Sequence, residues 1–334
     1  VQCLPRFEAA HHVKKQYTVE DVFNRVDEVM RLAILNGTCA IRLFADVDED
    51  SGLTALKGLL EIKKKYSPIM TVQVAAFPQD GVFGGQTQTL MREAFELGAD
   101  IVAGIPWIEK TDEAKQAHTD MCFSLAKEFN RPLHLVCDDT VDKNSRTLEY
   151  IARQTIEHGF EGHVAATQCA SLAFQDDAYA KEVIQLVKDA DITVFSNSHV
   201  SLITTEVENE PRPRGVTRIQ ELIQAGVAVA CAQDDIDNWY YPFGRNDMLE
   251  VAYFMAHMGG FPWGEYDSIL SMVTDIPAKA LGLEYGLEVG KSANLVLLEA
   301  KDWREALQFQ PIKKAVVLKG KLVATTEKKQ TLTL

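Results

Sequence analysis

The feature that most constrains this chain is a sevenfold alternation of two patterns. Segments with apolar residues at helical spacing (18–35, 53–66, 87–97, 112–129, 144–158, 177–189 and 216–225) each lead into a short apolar run. Those runs are CAIRLF (39–44), TVQVAAF (71–77), IVAGIP (101–106), LHLVCD (133–138), GHVAATQ (162–168), ITVFSNS (192–198) and the stretch from Val227 to Gly244. Thr18 with Asp21 three residues on has the form of an N-cap, and Asn36-Gly37, Leu97-Gly98, His158-Gly159 and Ala225-Gly226 stop helices ahead of the next strand. Strands that are apolar almost throughout must be covered on both faces, which a parallel sheet wrapped in helices provides. Seven helix-to-strand units are one short of closure, so the spacing predicts an α/β, (β/α)8 TIM-type barrel whose first strand is short or missing. A doubly wound open sheet is the alternative, but no GxGxxG turn follows any strand.

Beyond helices expected near 246–258 and 267–281 the pattern changes. SANLVLLEA (292–300) and IKKAVVLKGKLVATT (312–326) read as short strands, with a hairpin at Lys319-Gly320-Lys321. The division expected is a barrel over 1–285 and a small β-sandwich segment over 286–334. The polar, proline-containing stretch 205–215 reads as a loop over the strand C-termini. A chain of 334 residues, 46% of them hydrophobic, suits one barrel with a small appendage. A net charge of −14 with no Lys/Arg-rich run argues against nucleic acid as a partner. No apolar run approaches the ~20 residues that cross a bilayer, so no membrane partner and a cytoplasmic location are expected. Six cysteines lack CxxC pairing, and most sit in strand-like runs as small core residues.

In a parallel barrel the strand C-termini converge on one mouth, and polar residues there are the ones to weigh. They are Asp46, Gln79, Asp80, Asp138, Asp139, Gln168, Asn197, His199, Gln233, Asp234 and Asp235. Clustered carboxylates raise one another's pKa, so an Asp139/Asp234 pair suits general acid/base work. Asp138 reads instead as a cap on the following helix. Asp138, Asp139, Asp234 and Asp235 form an oxygen set for Mg²⁺ or Mn²⁺ only if alternation brings them all inside, which it does not. His134 lies two residues before Val136 and reads as a hydrogen-bonded core histidine one layer deeper. His11 and His12 read as solvated, His199 as a ligand contact near the mouth, and Cys3 as a small buried residue. Cys169 and Cys231 have no visible histidine partner for nucleophilic work.

Together AIRLFADVDED, FPQDG, LVCDD, AATQ, AQDDIDNWYYPFG and LGLEYGLEVGKSANLVLLEA resemble the cytosine deaminase branch of the amidohydrolase superfamily over essentially the whole chain. The resemblance implies a (β/α)8 barrel with a small β-sandwich, and hydrolytic deamination of a pyrimidine ring by a water bound to zinc or iron. Carried over residue by residue, the family's His-x-His pair falls at Val1 and Cys3, its next metal-binding histidine at Val136, and its catalytic histidine at Gln168. The histidine before its metal-binding aspartate falls at Gln233, that aspartate at Asp234, and its proton-shuttling glutamate at Asp139. Asp235 follows as in the family, Gln79 matches the glutamine that reads the pyrimidine amide edge, and Trp239 or Tyr240 matches a pocket aromatic.

Catalytic roles are therefore expected for Asp139 and Asp234, and ligand contacts for Gln79, Gln168, His199, Gln233, Asp235, Trp239 and Tyr240. Valine cannot ligate a metal and glutamine does so poorly, so no metal cofactor is expected from the residues present. The function implied is C–N hydrolysis in a small cyclic amide or amidine with an altered or absent metal site. The alternative is a metal-free, inactive homologue that binds a pyrimidine-like ligand or assists assembly. Only VQCLP stands where the family's first strand would be. An open seam exposes unpaired backbone, so a homo-oligomer or a companion chain is expected to fill it.

Overall fold

The computed structural model describes residues 10–83, 85–204, 215–238, 240–261 and 264–333. Seven parallel strands lie in sequential order: β1 (Ala40–Asp46), β2 (Thr71–Phe77), β3 (Ile101–Gly104), β4 (Leu133–Cys137), β5 (Val164–Gln168), β6 (Thr193–Phe195) and β7 (Val229–Ala230). Each is joined to the next through helix, as a sheet of parallel neighbours requires. Among the described residues β1 and β7 are both edges, with no strand between them. The fold is thus a curled parallel sheet of the TIM type that the described residues leave open, not a closed eight-stranded ring.

Alternation along each strand sorts the core. Val74, Val102, Leu133, Leu135, Cys137, Val164, Ala166, Val194 and Val229 face the helices in one large apolar cluster. Ala75, Phe77, Ile101 and Ala103, with Phe44 and Val136 against them, fill one part of the concave side. Ala165, Phe195 and Ala230 fill another. Small residues alternate here with a few aromatics, which is how a narrow barrel interior is packed.

Local signals place the helices. Thr18 accepts a hydrogen bond from the Asp21 amide and opens the helix Val19–Leu35, and Asn36 closes it. Asp138, in a left-handed conformation after β4, caps the helix Thr147–His158 from outside its own chain segment. Its carboxylate accepts from Ser145 Oγ (2.6 Å), Thr147 Oγ1 (2.8 Å), Thr147 N (3.0 Å) and Leu148 N (3.0 Å). The capping role expected for Asp138 holds.

The expected helix over 267–281 is two helices, Tyr266–Ser271 and Asp275–Ala280. Pro277 lies in the first turn of the second, where its missing N–H costs nothing, and could not lie inside one continuous helix. This pair closes against the open side of the sheet. The Cys231 amide donates to Met272 O (2.8 Å), and Arg42 and Gln73 donate to Ala280 O and Leu281 O.

At the C-terminal end β8 (Leu295–Leu298), β9 (Lys313–Leu318) and β10 (Lys321–Thr325) form one antiparallel sheet in the order β10-β9-β8. Where a β-sandwich was expected, the described residues supply this single layer. The hairpin at Lys319-Gly320 is present, both residues having positive φ. Residues 205–214, most of the expected loop, lie outside the described residues, as do Val1, Cys3 and Trp239. No helix among the described residues is long and apolar enough to cross a membrane.

Candidate active site

The strand C-termini open into a groove of about 1230 Å³ that runs from the mouth of the sheet to its concave floor. Lining it are Asp46, Gln79, Asp139, Gln168, Gln233, Asp234, Asp235 and Tyr240, so seven of the nine expected site residues stand around one space. His199 does not. It is 4% exposed and sits behind Gln233, whose Nε2 is 3.1 Å from its Nε2, against the rings of Tyr241 and Phe254. Burial lowers its pKa to about 4, so the ring is neutral.

Asp234 is the centre of the mouth. Its Oδ2 accepts from Gln168 Nε2 (2.6 Å) and from Asn197 Nδ2 (3.4 Å). Asn197 is itself fixed, donating to Thr167 Oγ1 (3.0 Å) and accepting from the Ala232 amide (3.3 Å). Gln168 is delivered by strained backbone: it and Cys169 are consecutive left-handed residues, at φ 70° and 51°, directly after β5. Such pairs persist where the surroundings over-determine them, most often at functional sites. The Cys169 amide, bonded to Cys137 O at 2.9 Å, is one of those surroundings.

Three carboxyl groups here line one groove, Asp139 and Asp235 half-buried and Asp234 exposed to it. Asp139 is pushed up to about 7 by burial and by the charge of Asp234. Asp235 is pushed up to about 7 by burial and again by Asp234, although Asn238 hydrogen-bonds it. Burial also raises Asp234, against the two amide donors. Asp234 is reachable from the groove, yet protein surrounds it on its other sides, which is why its charge is still disfavoured. A cluster of this kind holds and passes protons near neutrality.

Beside it lies a second cluster that the sequence did not signal. The helical turn at residues 10–14 lowers Lys14, 2% exposed, between Asp46 (3.2 Å), Asp48 (2.9 Å) and Asp80 (3.0 Å). Burial opposes its charge, but the three carboxylates hold its pKa above the ordinary value. His11, expected to be solvated, is half-exposed and bonded to Asp50 at 2.7 Å.

Two of the positions at which the resemblance puts a metal-binding or catalytic histidine, Val136 and Gln168, lie among the described residues. Val136 has no donor atom, and Gln168 already spends its amide on Asp234. Among the described residues no three His, Cys, Asp or Glu side chains are grouped to hold a metal. The cysteine idea fails on Cys231, whose thiol burial raises well above its ordinary pKa.

The chain is 28% identical over 320 residues to the N-isopropylammelide isopropyl amidohydrolase of Pseudomonas sp. (strain ADP), covering 94% of this chain and 75% of that one. It is 30% identical over 319 residues to the pterin deaminase of Rhizobium rhizogenes, covering 92% and 70%. Among solved structures, 5-methylcytosine deaminase from Klebsiella pneumoniae, liganded with 5-fluorocytosine, matches with a TM-score of 0.91 at 31% identity, over 96% of this chain and 78% of that one. A model of the amidohydrolase family matches residues 4–324, a span that takes in all seven parallel strands, and the chain belongs to that family.

Proposed function

We propose that this protein hydrolyses a C–N bond of a small cyclic amide or amidine with a metal site altered or lost relative to its family. Relatives that are deaminases and amidohydrolases, one of them liganded with 5-fluorocytosine, support the reaction class and a pyrimidine-like ligand. The observation that carries the reading is that Asp139 and Asp234 line one groove, where the charge of Asp234 raises the affinity of Asp139 for a proton and burial raises that of Asp234. In this scheme the ionised member of the pair takes a proton from a water as its oxygen bonds to the ring carbon. The protonated member gives its proton to the departing nitrogen. One C–O bond forms, one C–N bond breaks, and an amine leaves. Gln79, on the same groove, reads the amide edge of the ring.

A second reading is favoured by Val136 and Gln168, which stand where the family's metal-binding and catalytic histidines fall in the resemblance. Hydrolysis without a Lewis acid forgoes transition-state stabilisation of several kcal/mol, so the groove would serve for binding or assembly alone. Elemental analysis of the purified protein, with ammonia release from cytosine, 5-methylcytosine, isocytosine and pterin, separates the two. Ammonia release abolished by Asp139→Asn, with no stoichiometric metal, is the expected result. Stoichiometric binding of a ring without ammonia release selects the second reading, and stoichiometric zinc or iron in an active protein overturns the altered metal site.

A further inference from the structure

The floor of the groove, one layer below Val136 on β4, holds two unpartnered hydrogen-bond donors among the described residues and a cation whose acceptors are all neutral. Arg42 on β1 donates through Nε (3.0 Å) and Nη2 (2.8 Å) to Gln73 Oε1, and through Nη2 (3.2 Å) to Ala280 O. Both acceptors are neutral. The carboxylate that favours its charge, Asp100, acts only at a distance, and burial brings the guanidinium down to about 10. Its Nη1 stands 3.0 Å from His134 Nδ1.

A guanidinium can only donate, so Nδ1 of His134 accepts and the neutral ring carries its proton on Nε2. Among the described residues that Nε2 has no partner, and His134 is 7% exposed between Phe44 and Phe195, each ring 5.1 Å away. Nη1 of Arg42 retains a second proton. Trp107, packed with Phe44 and Val136, has a buried indole N–H that is likewise unpartnered. All three residues line the same groove as Asp139, Asp234 and Asp235.

We propose that this floor is a subsite for a carboxylate carried on the ring that the groove binds, so that the ligand is dipolar. The proposal rests on the reading of the groove as a site for a pyrimidine-like ring, and adds the substituent. A ring carbonyl or a water would satisfy a donor but leave the half-buried cation without a counter-charge in contact with it. A carboxylate answers both needs, accepting the one Nη1 proton that Arg42 retains and supplying the charge opposite to it. The amino group and ring N–H of the same ligand then face the acidic, amide-rich mouth.

The test is calorimetric titration of the full chain with cytosine and with its 5- and 6-carboxylates. One carboxylate is expected to bind at least tenfold tighter than cytosine, and His134→Phe and Arg42→Gln are each expected to reduce that ratio to within twofold of one. Because Arg42 also braces the helix Asp275–Ala280, His134→Phe, which keeps the ring volume and removes the donor, decides if the Arg42 variant unfolds. Equal affinity for cytosine and both carboxylates overturns the subsite while leaving the ring-binding reading intact. A preference that survives in His134→Phe overturns it as well, and failure of all three compounds to bind overturns both readings.

Discussion

Asp139 is a residue whose ionisation works against the fold. Its folded pKa of about 7 lies above the ordinary carboxylate value near 4, so the native state binds the proton more tightly than the unfolded chain. The stability this contributes is complete below about pH 4 and disappears as pH rises through about 7. Asp139→Asn removes the dependence: urea melts are expected to show the variant more stable than wild type by about 4 kcal/mol at pH 8, and by little at pH 4. A constant difference across that range would place the effect elsewhere. Asp139, Asp234 and Gln168 were legible because each follows an apolar run, where strand C-termini meet. Lys14 was not, since its partners Asp46, Asp48 and Asp80 are brought together only by folding and no local spacing marks them. Arg42 carried a signal that went unread: a charged residue inside the run CAIRLF has to face something other than lipid-like core.

Elements hold the site through a few contacts. Asp138, the residue before Asp139, receives four hydrogen bonds from the turn and first residues of the helix Thr147–His158. Asp138→Ala strands those donors, and a loss of about 2–4 kcal/mol in chemical denaturation is expected. Gly244 is a packing glycine: a Cβ there would come 2.2 Å from Asp235 O and 2.8 Å from Gln233 Nε2. Gly244→Ala is therefore expected to weaken ring binding at least tenfold by displacing the 233–235 segment, with a smaller loss of stability, read by titration beside a thermal melt. Most helices and strands were visible from periodicity, to within a few residues. The short helices Ser198–Thr204 and Trp303–Phe309 were not, because the first begins within the apolar run 192–198 and the second is barely two turns.

At the scale of the molecule the open side of the sheet sets the next question. The sevenfold alternation revealed the curled sheet, but which strand neighbours β1 is decided by chain outside the run of units, and no periodicity contains it. Among the described residues β1 and β7 are unpaired edges, and we propose that a second copy or a companion chain pairs with them. Sedimentation is expected to give a mass at least twice that of the 37.2 kDa chain, and a monomer at micromolar concentration would argue against it.

The contacts between Met272 and Leu281 and the strands they touch replace a ladder with isolated bonds. An arch closed by such a wedge is only as tight as those few bonds. Deuterium should accordingly enter the amides of β7 and of the 272–281 segment well before those of β2 to β5, so that the molecule breathes along this side and a ligand's way in and out lies there.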